Sequence, residues 1–170
     1  MTYDTREVLN RPEGSRPDSS VRHAEIAREL FLSGSNCAQS VFCAYCDITG
    51  YNREQALRLA SSFGGGMGRM REVCGALSAV YIIIGILYGY SEPGNDEEKG
   101  KHYALVQDIA ARFKQKNGTI ICRELLKELE VGSLPTPTPR TAEYYKIRPC
   151  ARFVMDACDI LDEIIAERGI

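Results

Sequence analysis

Apolar residues recur every three to four positions along most of the chain after about residue 20, which is the spacing of amphipathic helices. Serine, asparagine, proline and glycine interrupt these runs where helices begin and end. The pattern predicts helices over about residues 21–32, 37–50, 52–60, 72–90, 95–117, 119–129 and 150–165. No segment shows a convincing alternation of apolar and polar residues, as a strand would. The fold is therefore predicted to be all-α.

These helices are expected to form one bundle of about six or seven helices around a buried central helix. Residues 1–20 are polar and contain Pro12, Gly14 and Pro17, so they are expected to form a flexible N-terminal arm. Residues 21–170 then form a single helical, cysteine-containing domain. The segment VGSLPTPTPRT has prolines at alternate positions and predicts an extended connection inside that domain.

An uncharged run from Val73 to Tyr90 is just long enough to raise the question of a membrane span. Three glycines, a cysteine, a serine and three tyrosines make the run less apolar than a typical span, and no basic segment follows it. A central buried helix is the better interpretation, and no membrane span is predicted. Gly85 and Gly89 form a GxxxG pair that allows close helix approach, so packing of two copies into a homodimer is an alternative use of this helix.

Composition and charge make some classes of function less expected for this chain. Of the 170 residues, 44% are apolar and 26% are charged, and the net charge is −2. Lys and Arg are scattered and form no basic stripe, so a nucleic acid partner is not expected. The N-terminus lacks the apolar segment of a secretory signal, which predicts a cytoplasmic location where thiols stay reduced.

Seven cysteines are many for a reducing compartment, and an odd number argues against a simple disulfide framework. Four of them follow helix start signals: Cys37, Cys74, Cys122 and Cys150. A helix N-terminus carries free N–H groups and a partial positive charge, which stabilise a thiolate. A thiolate ligates metals and attacks disulfides. The other three lie in helix interiors and are interpreted as core residues, including the CxxC pair: Cys43, Cys46 and Cys158.

A glycine-rich segment, SFGGGMGRM, precedes Cys74. It follows no strand and lacks both the GxGxxG spacing and the Lys-Ser/Thr of a phosphate-binding loop, so it is first a turn into a helix. Its amides could also donate hydrogen bonds to a thiolate, a cluster sulfide or an anion. The candidate cofactor-binding glycines are Gly65, Gly66, Gly68 and Gly75. Arg69 and Arg71 would add positive potential near Cys74.

The chain has two histidines, His23 and His102. Each lies in a predicted helix among charged neighbours, so a solvated side chain is expected at both positions. No Ser-His-Asp arrangement and no pair of carboxylates stands out. The chemistry of this chain is therefore expected to depend on cysteine.

The segments SNCAQSV, FGGGMG, CGALSA, ICRELL and RPC resemble, in order and spacing, the redox-active family named for its cysteine pattern, C_GCAxxG_C_C. The likeness covers about residues 21–158 and departs from the family at Ala79, where the family has glycine. It places the four family cysteines on Cys37, Cys74, Cys122 and Cys150. The family is similar to part of split-Soret cytochrome c, which makes an iron–sulfur cluster or zinc a candidate cofactor; haem is not implied, because no CxxCH motif is present.

Two hypotheses follow. In the first, the four cysteines converge at helix N-termini, and they either form redox-active dithiols that serve a redox partner protein or ligate a metal or iron–sulfur centre. In the second, the protein is a non-catalytic helical interaction module whose cysteines are structural. The spacing of the cysteines does not choose between dithiol and metal chemistry.

Overall fold

A computed structural model describes residues 22–129 and 131–170. The predicted flexible arm at residues 1–20 lies outside the described residues. The described part of the chain contains nine α-helices, one 3-10 turn and no strand, so the predicted all-α fold is confirmed. The nine helices are α1 His23–Leu32, α2 Cys37–Ala44, α3 Cys46–Thr49, α4 Arg53–Ala60, α5 Gly75–Tyr88, α6 Asp96–Asn117, α7 Cys122–Leu125, α8 Ala142–Ile147 and α9 Cys150–Arg168.

Six of these helices have eight or more residues and account for the predicted bundle. The differences between the predicted and the observed helices are local. The helix predicted over 37–50 is broken at Tyr45, and the one predicted over 119–129 is a single turn, α7. The short helix α8 was not predicted.

Asparagine side chains determine where three helices begin. Asn36 and Asn52 each form a reciprocal capping box with the glutamine three residues later, at α2 and α4. The Asn95 side chain accepts a hydrogen bond from the Glu98 amide at the start of α6. These bonds satisfy amide groups that have no partner within the helix.

The core forms where α5 packs against α2, and where α9 packs against α1. Residues 75–80 of α5 are buried, as are Ile83 and Ile84, so the predicted buried central helix holds over the first ten residues of α5. Its C-terminal turn differs: Gly85 and Ile86 are exposed. Among the described helices, none is long and apolar enough to cross a membrane.

Candidate cysteine site

Four cysteines from distant parts of the chain stand at helix starts. Cys37, Cys122 and Cys150 are the first residues of α2, α7 and α9, and Cys74 directly precedes α5. All four line one small void of about 10 Å³, which we call the inner void. The fold thus brings together the four cysteines that the sequence singled out, and their chemical roles stay a prediction.

The glycine-rich segment carries the chain into this site through a run of left-handed backbone. Gly65, Gly66 and Gly68 have positive φ angles, and so do Met67, Arg69 and Arg71. Hydrogen bonds hold the segment, from the Arg71 amide to the Gly65 carbonyl at 3.3 Å and from the Glu72 amide to the Gly66 carbonyl at 3.1 Å. The segment is therefore a hydrogen-bonded coil of defined shape.

Beyond the coil, the chain runs antiparallel to the segment that leads into α7. The Cys74 amide donates to the Ile120 carbonyl at 2.8 Å, and the Cys122 amide donates to the Glu72 carbonyl at 2.6 Å. An isolated β-bridge joins Val73 to Ile121 between these bonds. This pairing places Cys74 beside Cys122 although they are far apart in sequence.

Two of the predicted glycines allow the cysteine-bearing segments to approach. A Cβ at Gly66 would lie 2.7 Å from the Cys122 Cβ, and Gly66 has a φ of +69°. A Cβ at Gly75 would lie 2.6 Å from the Phe63 carbonyl oxygen and 3.4 Å from the Cys37 Cβ. Both positions need glycine for close packing. That any of the four glycines binds a cofactor stays a prediction.

Cys37 and Cys150 both line the inner void, and a hydrogen bond between their thiols is the largest influence on the pKa of each. The bond from the Cys37 thiol lowers the pKa of Cys150 against the opposing effect of burial, and the nearby Arg148, Arg140 and Arg71 lower it further. The same bond, together with burial and the neighbouring sulfurs, raises the pKa of Cys37. Of the two thiols, Cys150 is therefore the one that loses its proton more readily.

The other two cysteines stay protonated. Burial raises the pKa of Cys74 to about 12, although the Ala76 and Leu77 amides donate to its sulfur. Burial also raises the pKa of Cys122, against the Arg71 guanidinium 3.9 Å from its sulfur. At Cys74 and Cys122 desolvation of the charged form opposes the effect of the helix end, and at Cys37 the interaction with Cys150 and burial do so. That the four helix starts carry thiolates stays a prediction.

A larger cavity of about 290 Å³ lies against the same cysteines, and we call it the outer cavity. Three of the four cysteines line it: Cys37, Cys122 and Cys150. Four arginines line it as well: Arg69, Arg71, Arg140 and Arg148. Sequence reasoning named Arg69 and Arg71, but it missed Arg140 and Arg148, which the proline-rich connection and α8 bring to the site.

The three remaining cysteines lie elsewhere. Cys158 is fully buried in the core, as expected. The interaction between Cys43 and Cys46 raises the pKa of Cys43 and lowers that of Cys46, and Cys46 is the first residue of α3. The prediction that Cys46 lies inside a helix is therefore wrong, because the backbone breaks at Tyr45.

The solvated state predicted for His23 is also wrong. Its Nδ1 lies 2.8 Å from Asp162 Oδ1, its ring stacks on Tyr45 at 4.2 Å, and its side chain is only 13% exposed. Burial opposes protonation, but hydrogen bonds to Asp162 and Asp47 prevail and raise the pKa of His23 to about 9. No local sequence signal marks this network, since Asp162 belongs to the last helix. His102 is partly buried near the Tyr90 ring.

The arrangement of the thiols bears on whether they hold a metal. Among the described residues, no group of three or more His, Cys, Asp or Glu side chains has the geometry of a metal site. The inner void has room for about one water molecule. As they stand, the four cysteines do not form such a site, and the choice between dithiol and metal chemistry stays a prediction.

Comparison with known proteins identifies the chain at the level of a family. Neither a curated protein nor a solved structure matches it. The profile of the family described as "Putative redox-active protein (C_GCAxxG_C_C)" matches residues 35–164, which include all four cysteines of the site. The protein therefore belongs to the C_GCAxxG_C_C family of redox-active proteins.

Proposed function

We propose that this protein is a thiol–disulfide redox protein whose working pair is Cys37 and Cys150. The observation that carries the proposal is that these two cysteines, each the first residue of a helix, line both the inner void and the outer cavity. Their opposite pKa shifts, lowered at Cys150 and raised at Cys37, support it. A pair in which one sulfur is a thiolate and the other holds a proton is ready for disulfide exchange.

The chemistry proceeds in two balanced steps. The Cys150 thiolate attacks one sulfur of a disulfide, forms a mixed disulfide and releases the other sulfur as a thiolate. Cys37 then loses its proton to solvent and attacks the Cys150 sulfur, which releases the second thiolate and leaves a Cys37–Cys150 disulfide. Two protein thiols are oxidised and one substrate disulfide is reduced; a redox partner protein would return the two electrons.

Two further features support this assignment. Cys74 and Cys122 line the same inner void, so their thiols are placed to exchange with the first disulfide. A cytoplasmic location, which we propose from the sequence, would keep all four thiols reduced between reactions. The competing hypothesis of an interaction module gives no reason for four cysteines to meet in one place.

The test is a disulfide map of the native protein. Reduced protein is treated with limiting diamide, free thiols are alkylated, and the linked peptides are identified by mass spectrometry. We expect a Cys37–Cys150 disulfide as the first product, and the Cys158→Ser variant should form it equally well. A first product that lacks Cys150, or no disulfide at all, would contradict the proposal.

The same preparation tests the metal alternative. Protein purified without oxygen is analysed for iron and zinc, and its visible absorption spectrum is recorded. We expect all four cysteines of the site as free thiols and no stoichiometric metal. Iron with charge-transfer bands, or zinc at one ion per chain, would assign the four cysteines to ligation instead.

A further inference from the structure

We infer that the outer cavity selects anionic substrates, and that the disulfide or thiol exchanged at Cys150 is a small molecule bearing carboxylate groups. The inference rests on the proposed function and adds the chemical class of the substrate. It comes from the charge and position of four arginines that line the outer cavity together with the cysteines.

The arginines converge from three separate parts of the chain. Arg69 and Arg71 belong to the glycine-rich coil, Arg140 lies near the end of the proline-rich connection, and Arg148 directly follows α8. No aspartate or glutamate lines the outer cavity, and among the described residues none of these four arginines forms an ion pair with a carboxylate. The cavity is therefore positive in a chain whose net charge is −2.

Neutral groups hold these guanidinium groups in place. Arg71 donates from Nε and Nη2 to the Gly132 carbonyl, at 3.1 and 2.9 Å. Arg69 donates from Nε to the Leu134 carbonyl at 2.6 Å. Because carbonyl oxygens carry no net charge, these bonds fix the side chains while leaving their positive charge available to a ligand.

The other two arginines are held by aromatic rings. The Arg140 guanidinium stacks on Phe31 and Tyr144, with centroid distances of 4.8 and 4.7 Å, and the Arg148 guanidinium stacks on Tyr144 at 4.6 Å. Stacking on a ring orders a guanidinium group and leaves its edge for hydrogen bonds to a planar anion. Arg140 Nη1 has no hydrogen-bond partner among the described residues.

The sulfur atoms of the working pair lie where a molecule bound in the outer cavity would react with them. Cys37 and Cys150 line the outer cavity, so a molecule bound there touches the working pair. A volume of about 290 Å³ suits a small disulfide better than a folded protein loop. An anionic disulfide RSSR would accept two electrons from the pair. One RS⁻ group leaves when the Cys150 thiolate attacks, and the second leaves when Cys37, after losing its one proton to solvent, attacks the Cys150 sulfur.

The test compares three small disulfides of similar size and different charge. Reduced protein is mixed at low salt with dithiodipropionate, which is a dianion, with bis(hydroxyethyl) disulfide, which is neutral, or with cystamine, which is a dication. The rate of Cys37–Cys150 disulfide formation is followed by quenched alkylation and mass spectrometry. We expect the dianion to react at least about tenfold faster than the neutral compound, and cystamine to be slowest. Added salt should bring the three rates together.

Matched variants locate the effect. Arg148→Gln should lower the ratio of the dianion rate to the neutral rate severalfold, and Arg69→Gln provides the same test at a second position. The ratio is the readout because any effect of either substitution on the Cys150 thiolate slows all three disulfides alike. Arg152→Gln is the control, since Arg152 is exposed on α9 and does not line the cavity.

The outcomes separate the two proposals. If the Cys37–Cys150 disulfide forms at equal rates with all three compounds, anion selection is overturned and the proposed redox function stands. If no compound produces that disulfide, both fail. An anion preference that survives in Arg148→Gln and Arg69→Gln would show that other charges cause it, and would overturn the assignment to this cavity.

Discussion

At the scale of single residues, the environment of a sulfur decides its chemistry more than its position in a helix. Cys74 and Cys150 both stand at the start of a long helix, yet burial raises the pKa of Cys74 to about 12 while that of Cys150 is lowered. The difference lies in their neighbours. Cys150 accepts a hydrogen bond from Cys37 and lies near three arginines, whereas backbone amides are the compensating donors at Cys74.

A first prediction concerns the bond between these two thiols. Cys37→Ala removes the donor that most lowers the pKa of Cys150, so that pKa should rise. Near neutral pH, alkylation of Cys150 by iodoacetamide should then slow severalfold, because less thiolate is present. The measurement is the pH profile of the alkylation rate, read by mass spectrometry at Cys150. Cys46→Ala should leave the profile unchanged; an unchanged profile in Cys37→Ala would remove Cys37 as the stabilising donor.

At the scale of elements, side-chain networks hold the first and last long helices together. His23 of α1 contacts Asp162 of α9, and the Tyr45 hydroxyl lies within hydrogen-bond distance of two acceptors on α9, Asp162 Oδ1 at 2.8 Å and the Cys158 carbonyl at 2.9 Å. The break at Tyr45 also places its ring against His23. One turn between α2 and α3 therefore serves the packing of α1 against α9.

The protonation of His23 predicts how stability depends on pH. Its pKa is raised in the folded state, so its contribution to stability is fully present below about pH 6.5 and is lost as the pH rises towards 9. His23→Gln should lower the free energy of unfolding by on the order of 2 kcal/mol at pH 6 and much less at pH 9.5. Urea unfolding at both pH values measures this. His102→Gln is the control, and an equal loss at both pH values would contradict the charged contact.

At the scale of the whole molecule, the site joins distant parts of one chain. Cys37 and Cys150 begin α2 and α9, and roughly a hundred residues separate them. The glycine-rich coil of residues 64–71 and the proline-rich connection also line the outer cavity. Oxidation of the pair would therefore close a loop that contains most of the fold.

This topology predicts that the redox state changes global stability. A disulfide that closes a loop of roughly a hundred residues stabilises the folded state by up to about 4 kcal/mol, because it restricts the unfolded chain. The oxidised protein should therefore unfold at a higher urea concentration than the reduced protein. In the Cys37→Ala variant, the urea midpoints measured after oxidising and after reducing treatment should coincide. Equal midpoints in the unaltered protein, with the disulfide present, would mean that strain in the folded state offsets the gain.

How much of the structure can be predicted from the sequence depends on how far apart along the chain the interacting residues lie. The starts of α2, α4 and α6 follow from asparagine caps only three residues from their partners, and they were predictable. The break at Tyr45 was not predictable, because the Tyr45 hydroxyl bonds to the last helix and no residue nearby in the sequence marks the break. The GxxxG homodimer stays a prediction; Gly85 is exposed and has open space at its Cβ position.

The sequence by itself determined the helical class, the four cysteines at helix starts and the glycines that allow their segments to meet, because periodicity, capping and backbone freedom are local properties. The tertiary structure alone decided that Cys37 and Cys150 line one void, that the pKa of Cys150 is lowered while that of Cys37 is raised, and that Arg140 and Arg148 join Arg69 and Arg71 in the lining of the outer cavity. Desolvation and Coulomb interactions depend on distances through space, and the fold sets those distances.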